Sequence, residues 1–170
     1  MEVLVPNRLA SLIGDPFSDE ETVELLAKFH KAGYQLDYQD SLGMTALMYA
    51  TVYQRPKSVE YLLSQRVQVD TTNWFDGTAL YYASQHEDTT ILQMLLQAGA
   101  NPKQRTFKGK CKDCLTEATL LRNFQAVELL LKTGADPTYQ TPDGDSALTM
   151  AERQSETKIF NLIQDALNRV

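Results

Sequence analysis

The residues that could do chemistry in this 170-residue chain are few. Cys111-Lys112-Asp113-Cys114 has the spacing at which two thiols can share a metal or exchange a disulfide. A zinc site needs four ligands, and a redox pair needs a strand-to-helix setting. The two histidines, His30 and His86, lie far away along the chain. The cysteines are therefore expected to be a structural or incidental pair. Ser155-Glu156-Thr157-Lys158 has the Ser-x-x-Lys spacing of an activated serine. It stands at the expected start of a helix, so a helix cap is the simpler reading. No glycine-rich phosphate loop, paired-histidine metal motif or serine elbow occurs. No catalytic constellation, no metal and no cofactor are expected.

The elements around these residues repeat. Thr45–Ala50 reads TALMYA and Thr78–Ala83 reads TALYYA, 33 residues on. DCLTEA follows at Asp113–Ala118 and SALTMA at Ser146–Ala151. A second landmark keeps step: Tyr61-Leu62-Leu63, Met94-Leu95-Leu96, Leu129-Leu130-Leu131 and Leu162-Ile163. A third is the turn at Gly33, Gly99 and Gly134. Within a unit, Thr45 or Thr78 can cap a short helix whose Leu and Ala fall at i and i+3 on one face. A polar break follows, then a second helix carrying Val59, Leu62 and Leu63 or their counterparts. Inner helices are expected near 45–53, 78–86, 113–121 and 146–153, and outer helices near 57–65, 89–97, 124–132 and 157–168. Neither helix can bury its apolar face alone, but stacked neighbours can.

These landmarks resemble the ankyrin repeat. Gly43-Met44-Thr45-Ala46-Leu47-Met48-Tyr49-Ala50 is similar to the family's inner-helix start, and Gly134-Ala135-Asp136-Pro137 to its turn. The resemblance implies an all-α solenoid of stacked helix-turn-helix units with finger-like hairpins. One domain is expected over 1–170, with an N-terminal capping unit at 1–39 and repeats at 40–72, 73–105, 106–140 and 141–170. The chain departs from the pattern in places. Ala or Cys114 replaces the motif proline, Arg66 replaces a turn glycine, and Gly77 comes one place late after Trp74-Phe75-Asp76. Two extra residues lengthen the third finger. In the capping unit, Leu9, Leu12 and Ile13 suggest a short inner helix. A second helix begins at Asp19-Glu20-Glu21, whose acids read as a solvated face.

The resemblance also implies where a partner would sit, at the hairpin tips and the concave side of the inner helices. The corresponding residues are Leu42, Met44, Tyr49, Tyr53, Trp74, Phe75, Tyr82, His86, Arg105, Phe107, Lys108 and Lys110. Exposed aromatics beside arginine have the composition of an interface hot spot. Lys103, Arg105, Lys108, Lys110 and Lys112 form a basic island on the lengthened finger.

Composition sets the outer bounds. Hydrophobic residues make up 43% of the chain, enough for a core. The longest apolar runs are a few residues, against roughly 20 for a membrane-spanning helix. The N-terminus, with Glu2 and no long apolar stretch, does not read as a signal peptide. Net charge is −6; residues 1–90 hold 13 acids and 6 bases, and 91–125 hold 2 and 6. Such a chain is a poor binder of nucleic acid, which needs a broad basic face. The expectation is a cytoplasmic, monomeric, non-catalytic protein that binds another protein. It could act as a stoichiometric inhibitor or immunity protein against a toxin or enzyme. An adaptor or secreted effector that grips a host protein is the alternative, and a thiol- or metal-dependent enzyme is a third reading.

Overall fold

The computed structural model describes residue 13 and residues 17–105 and 113–169. Among them run nine helices: α1 (Asp19–Lys31), α2 (Ala46–Val52), α3 (Pro56–Ser64), α4 (Ala79–Ala83), α5 (Thr90–Gln97), α6 (Cys114–Leu120), α7 (Phe124–Lys132), α8 (Ala147–Arg153) and α9 (Thr157–Leu167). The inner helices α2, α4, α6 and α8 recur at the spacing of the sequence landmarks. Each inner helix packs on the next and on the outer helix that follows it, and α3 lies between α1 and α5. The result is a one-dimensional helical stack. The expected inner helix of the capping unit, with Leu9 and Leu12, lies outside the described residues; Ile13 is buried.

Local chemistry starts each inner helix. The side chains of Thr45, Thr78, Asp113 and Ser146 accept the backbone N–H three residues on, from Met48, Tyr81, Thr116 and Thr149. α4 is shorter than expected, because the Ser84 hydroxyl donates to the Tyr81 carbonyl at 2.7 Å and the chain turns there. Leu47, Leu80 and Leu115 of the inner helices and Leu62, Leu95 and Leu130 of the outer ones are fully buried between layers. Small Ala50, Ala83, Ala118 and Ala151 are buried beside them and let adjacent inner helices approach.

Two sequence readings are corrected. Ser155 caps no helix: α9 is preceded by Glu156 without a side-chain cap, and Ser155 takes a left-handed turn conformation, φ 58°. Asp19 is not simply solvated. It reaches across to α3 and accepts the backbone N–H groups of Lys57 at 2.8 Å and Ser58 at 2.9 Å, capping the next outer helix. Lys57 also pairs with Glu20. The capping unit is thus bonded to the first repeat as well as stacked on it.

The helices α1, α3, α5 and α7 are each followed by a left-handed residue. Gly33, Gly99 and Gly134 fill that place, with φ of 87–97°. After α3 the same place is held by Arg66 at φ 60°. A side chain there is strained by about 1–2 kcal/mol, partly offset by the conformational entropy a glycine would lose. Arg66→Gly is therefore expected to stabilise the fold by about 0.5 kcal/mol, read as a higher urea midpoint; a lowered midpoint would contradict it. Leu95→Ala and Leu130→Ala are each expected to cost roughly 2–5 kcal/mol in the same measurement, and unchanged midpoints would refute the packing register.

Candidate protein-binding surface

Among the described residues, three hairpins that join the units are each built on one residue. In the first, the Asp40 carboxylate accepts the N–H groups of Leu42 at 2.8 Å and Met44 at 2.9 Å. In the second, the side-chain amide oxygen of Asn73 accepts those of Phe75 at 3.0 Å and Gly77 at 2.9 Å. The last uses the Thr141 hydroxyl, which accepts from the Asp145 N–H at 3.1 Å. Gly43, Asp76 and Gly144 take the left-handed corner of the three turns. The late glycine thus has an explanation. Asp76 occupies the corner, and Gly77 makes room for Tyr82, whose hydroxyl would stand 3.1 Å from a Cβ at that position.

Asn73 is buried and fully employed. Its amide nitrogen donates to the Tyr82 hydroxyl at 2.6 Å and lies 3.1 Å from the Met44 sulfur. The second finger is also bonded to the first. The Trp74 N–H donates to the Leu42 carbonyl at 3.1 Å and the indole N–H to the Ser41 carbonyl at 3.0 Å. Gln39 spans both fingers, donating to the carbonyls of Gly43 and Thr72. The Trp74 ring rests so close to Gly43 that a Cβ there would meet it at 3.1 Å. One side of Trp74 therefore packs on the neighbouring hairpin, yet the residue stays 55% exposed. Phe75 is 59% exposed and Leu42 50%.

The open side of the inner helices continues this surface. In register stand Tyr49, Val52 and Tyr53 on the first unit and Tyr82, Gln85 and His86 on the second. Leu120 and Leu121 follow on the third, where Glu117, expected beside them, is buried, and Met150, Arg153 and Gln154 on the fourth. Tyr49 and Tyr53 stack, with centroids 6.3 Å apart and planes 12° from parallel. The Tyr49 hydroxyl donates to Asp40 at 2.7 Å; burial, with that carboxylate beside it, pushes its pKa up to about 12. Tyr53 is 46% exposed. Burial also lowers the pKa of His86, which favours the neutral imidazole at neutral pH.

The residues expected to meet a partner therefore divide. Leu42, Trp74, Phe75 and Tyr53 offer large apolar surface. Tyr49, Tyr82 and His86 are half-buried, and the hydroxyls of both tyrosines are engaged. Met44 is buried, 7% exposed, and supports the hairpin from inside. Arg105 turns toward the next unit: its guanidinium donates to Asp136 at 3.0 Å and lies 4.4 Å over the Tyr139 ring. Phe107, Lys108 and Lys110 lie outside the described residues, as do Lys112 and Cys111. Sequence reasoning passed over Phe124, which is exposed directly after the exposed Leu120 and Leu121. Its signal was an aromatic residue at the first position of an outer helix, directly after the polar Arg122-Asn123 break.

The third reading, thiol chemistry, has little to work with at Cys114. That side chain is buried completely, and burial drives its pKa far upward, so the thiol stays protonated. Among the described residues no three His, Cys, Asp or Glu side chains are grouped to hold a metal ion. None of the described helices is long and apolar enough to cross a membrane.

Compared with known proteins, residues 14–106 match the family model described as ankyrin repeats (3 copies). The chain is 28% identical over 130 residues to the tyrosine-protein kinase Shark of Drosophila melanogaster, a match that covers 76% of this chain and 14% of that protein. It is 25% identical over 143 residues to an L-asparaginase of Dirofilaria immitis, covering 84% and 24%. Against ankyrin repeat and SOCS box protein 14 of Homo sapiens it is 32% identical over 81 residues, covering 48% and 13%. The chain thus corresponds to less than a quarter of the length of these relatives.

Asn73 holds the finger that presents Trp74 and Phe75, which makes it the residue to test. Asn73→Ala would leave the N–H groups of Phe75 and Gly77 without their acceptor, at a cost of about 1–3 kcal/mol. Trp74, the only tryptophan, should then be quenched more readily by acrylamide. A variant with unchanged stability and quenching would show that the finger is held by other contacts.

Proposed function

The chain belongs to the ankyrin-repeat family, and on that premise we propose that it is a non-catalytic module that binds another protein through its hairpin tips and the adjoining open side of its inner helices. The observation that carries this reading is the exposure of Leu42, Trp74 and Phe75 on turns whose geometry is set by the half-buried Asp40 and the buried Asn73. Large aromatic side chains held in place lose little freedom on binding, which is the character of interface anchors. The acidic balance of the chain supports a protein partner over nucleic acid, and no cofactor enters the proposal.

The finer version is a cytoplasmic, monomeric inhibitor or immunity protein that blocks a toxin or enzyme one-to-one. The adaptor reading draws support from the relatives: the same stretch recurs as a small part of larger proteins with unlike names, as a shared binding module would. The two separate once a partner is in hand, since only an inhibitor abolishes the partner's own activity at equimolar ratio.

The test is a pull-down from the source cell, read by mass spectrometry, followed by titration of the captured partner. Trp74→Ala, Phe75→Ala and Phe107→Ala are each expected to weaken binding by about 2 kcal/mol or more, mostly through faster dissociation. Gln93→Ala, on the exposed side of outer helix α5, should leave affinity unchanged. Lys108→Ala and Lys110→Ala are expected mainly to slow association and flatten its salt dependence. Unchanged affinity in folded Trp74→Ala and Phe107→Ala would place the interface elsewhere.

A further inference from the structure

The outer layer carries a groove that the finger surface does not use. It lies between the end of α7, the turn at 134–137 and α9, and has a volume of about 560 Å³. That is within the range of sites that hold a few side chains or a small ligand. Its floor is apolar, with Leu131, Leu162 and Ala166 half-buried there. Its rim carries Lys103, Lys132 and Arg169 against Glu128 and Asp136. Both carboxylates are already employed. Glu128 pairs with Lys132 at 2.9 Å. Asp136 pairs with Arg105 at 3.0 Å and accepts the N–H and hydroxyl of Thr138. Among the described residues, the side chains of Lys103 and Arg169 enter no ion pair and no hydrogen bond. Residues 106–112, which follow the turn of Lys103, hold three lysines and no Asp or Glu. The groove therefore presents uncommitted positive charge in a chain whose net charge is −6.

Two free cations beside an apolar floor are complementary to carboxylates that flank an apolar side chain. Lys103 comes from the turn after α5 and Arg169 from just past the end of α9, so the two bases reach the groove from different units. A ligand with one charged end, such as a free fatty acid, would engage only one of them. A dense polyanion such as nucleic acid would also meet Glu128 and Asp136 on the same rim. We propose that this groove docks a segment of a partner protein in which apolar residues are flanked by acidic ones, the apolar side chains on Leu131 and Leu162 and the carboxylates on Lys103 and Arg169. The groove belongs to the outer layer, so it is a second surface, separate from the finger tips and inner helices, and it is tested independently of them.

The backbone amides of Gly134 and Ala135 line the groove, so their resonances in the isotope-labelled chain report on it directly. The probes are end-blocked peptides: Glu-Leu-Leu-Glu, Gln-Leu-Leu-Gln, which lacks the charge, and Glu-Ser-Ser-Glu, which lacks the apolar centre. Octanoate is the single-ended comparison. Glu-Leu-Leu-Glu should shift the Gly134 and Ala135 signals saturably and bind about fivefold tighter than any of the other three, with affinity falling as salt is raised. Lys103→Ala and Arg169→Ala should each weaken it about threefold or more, and neither removes a contact that holds the fold. Lys158→Ala, an exposed base on α9 outside the groove, should not weaken it. Equal binding of either control peptide, octanoate binding as tightly, or no shift at Gly134 and Ala135 would overturn the proposal. So would equal losses in Lys158→Ala, Lys103→Ala and Arg169→Ala, because net charge alone would then explain the attraction. Shifts confined to Trp74 and Phe75 would refute the groove and leave the finger surface in place as the binding site.

Discussion

Each helix pair in this protein has apolar surface on two sides and can cover neither from within. Leu80 and Leu95 are buried because other units lie before and after theirs, not because their own unit encloses them. This dependence on neighbours orders everything else. It requires short helices, small alanines where inner helices meet, and a connection that returns the chain to the same starting point every 33–35 residues. Polar bonds follow the same period. Asp37 accepts the N–H of Gln68, and Asp70, one repeat later, accepts that of Asn101. Arg105 and Asp136 tie later turns together by an ion pair instead.

The repeating part of this design was legible in the residues, because burial constrains it. A leucine that must fill the same gap in every layer leaves the same letter at the same interval, and a helix cap accepts few side chains. What was not legible depended on which of several partners a polar group would choose. Arg105 looked available for a partner protein, yet Asp136 and Tyr139, on the next unit, are within its reach. Asp19 looked like one solvated acid among several, and only the packing of α1 on α3 shows that it caps a helix in the next unit. Ser155 carried a capping letter, but the bend between α8 and α9 required a left-handed residue there.

The candidate surface was half legible for the same reason. Trp74, Phe75 and Leu42 could be placed at turns from the repeat alone. Nothing in the letters separated Met44, which turns inward, from Leu42, two residues earlier, which turns outward. That difference exists only in the folded hairpin, where one carboxylate gathers the N–H groups of both residues while Leu42 stays half exposed and Met44 is buried. Nor did the sequence reveal that Tyr82 leans over Gly77 to meet Asn73.

In the first two fingers, the side chains that set the shape of the turn are different residues from the side chains that face outward. Asp40 and Asn73 hold the loops, while Leu42, Trp74 and Phe75 are displayed on them. Changes of identity at the displayed positions are thereby separated from changes of fold. Under the proposed binding role, a lineage or a protein engineer assembling a library would retarget the molecule by replacing letters at 42 and 75 while the frame beneath them is inherited intact. Position 74 is the exception. Its indole both faces outward and bonds back to Ser41, so a new specificity there must also supply a new latch between the fingers.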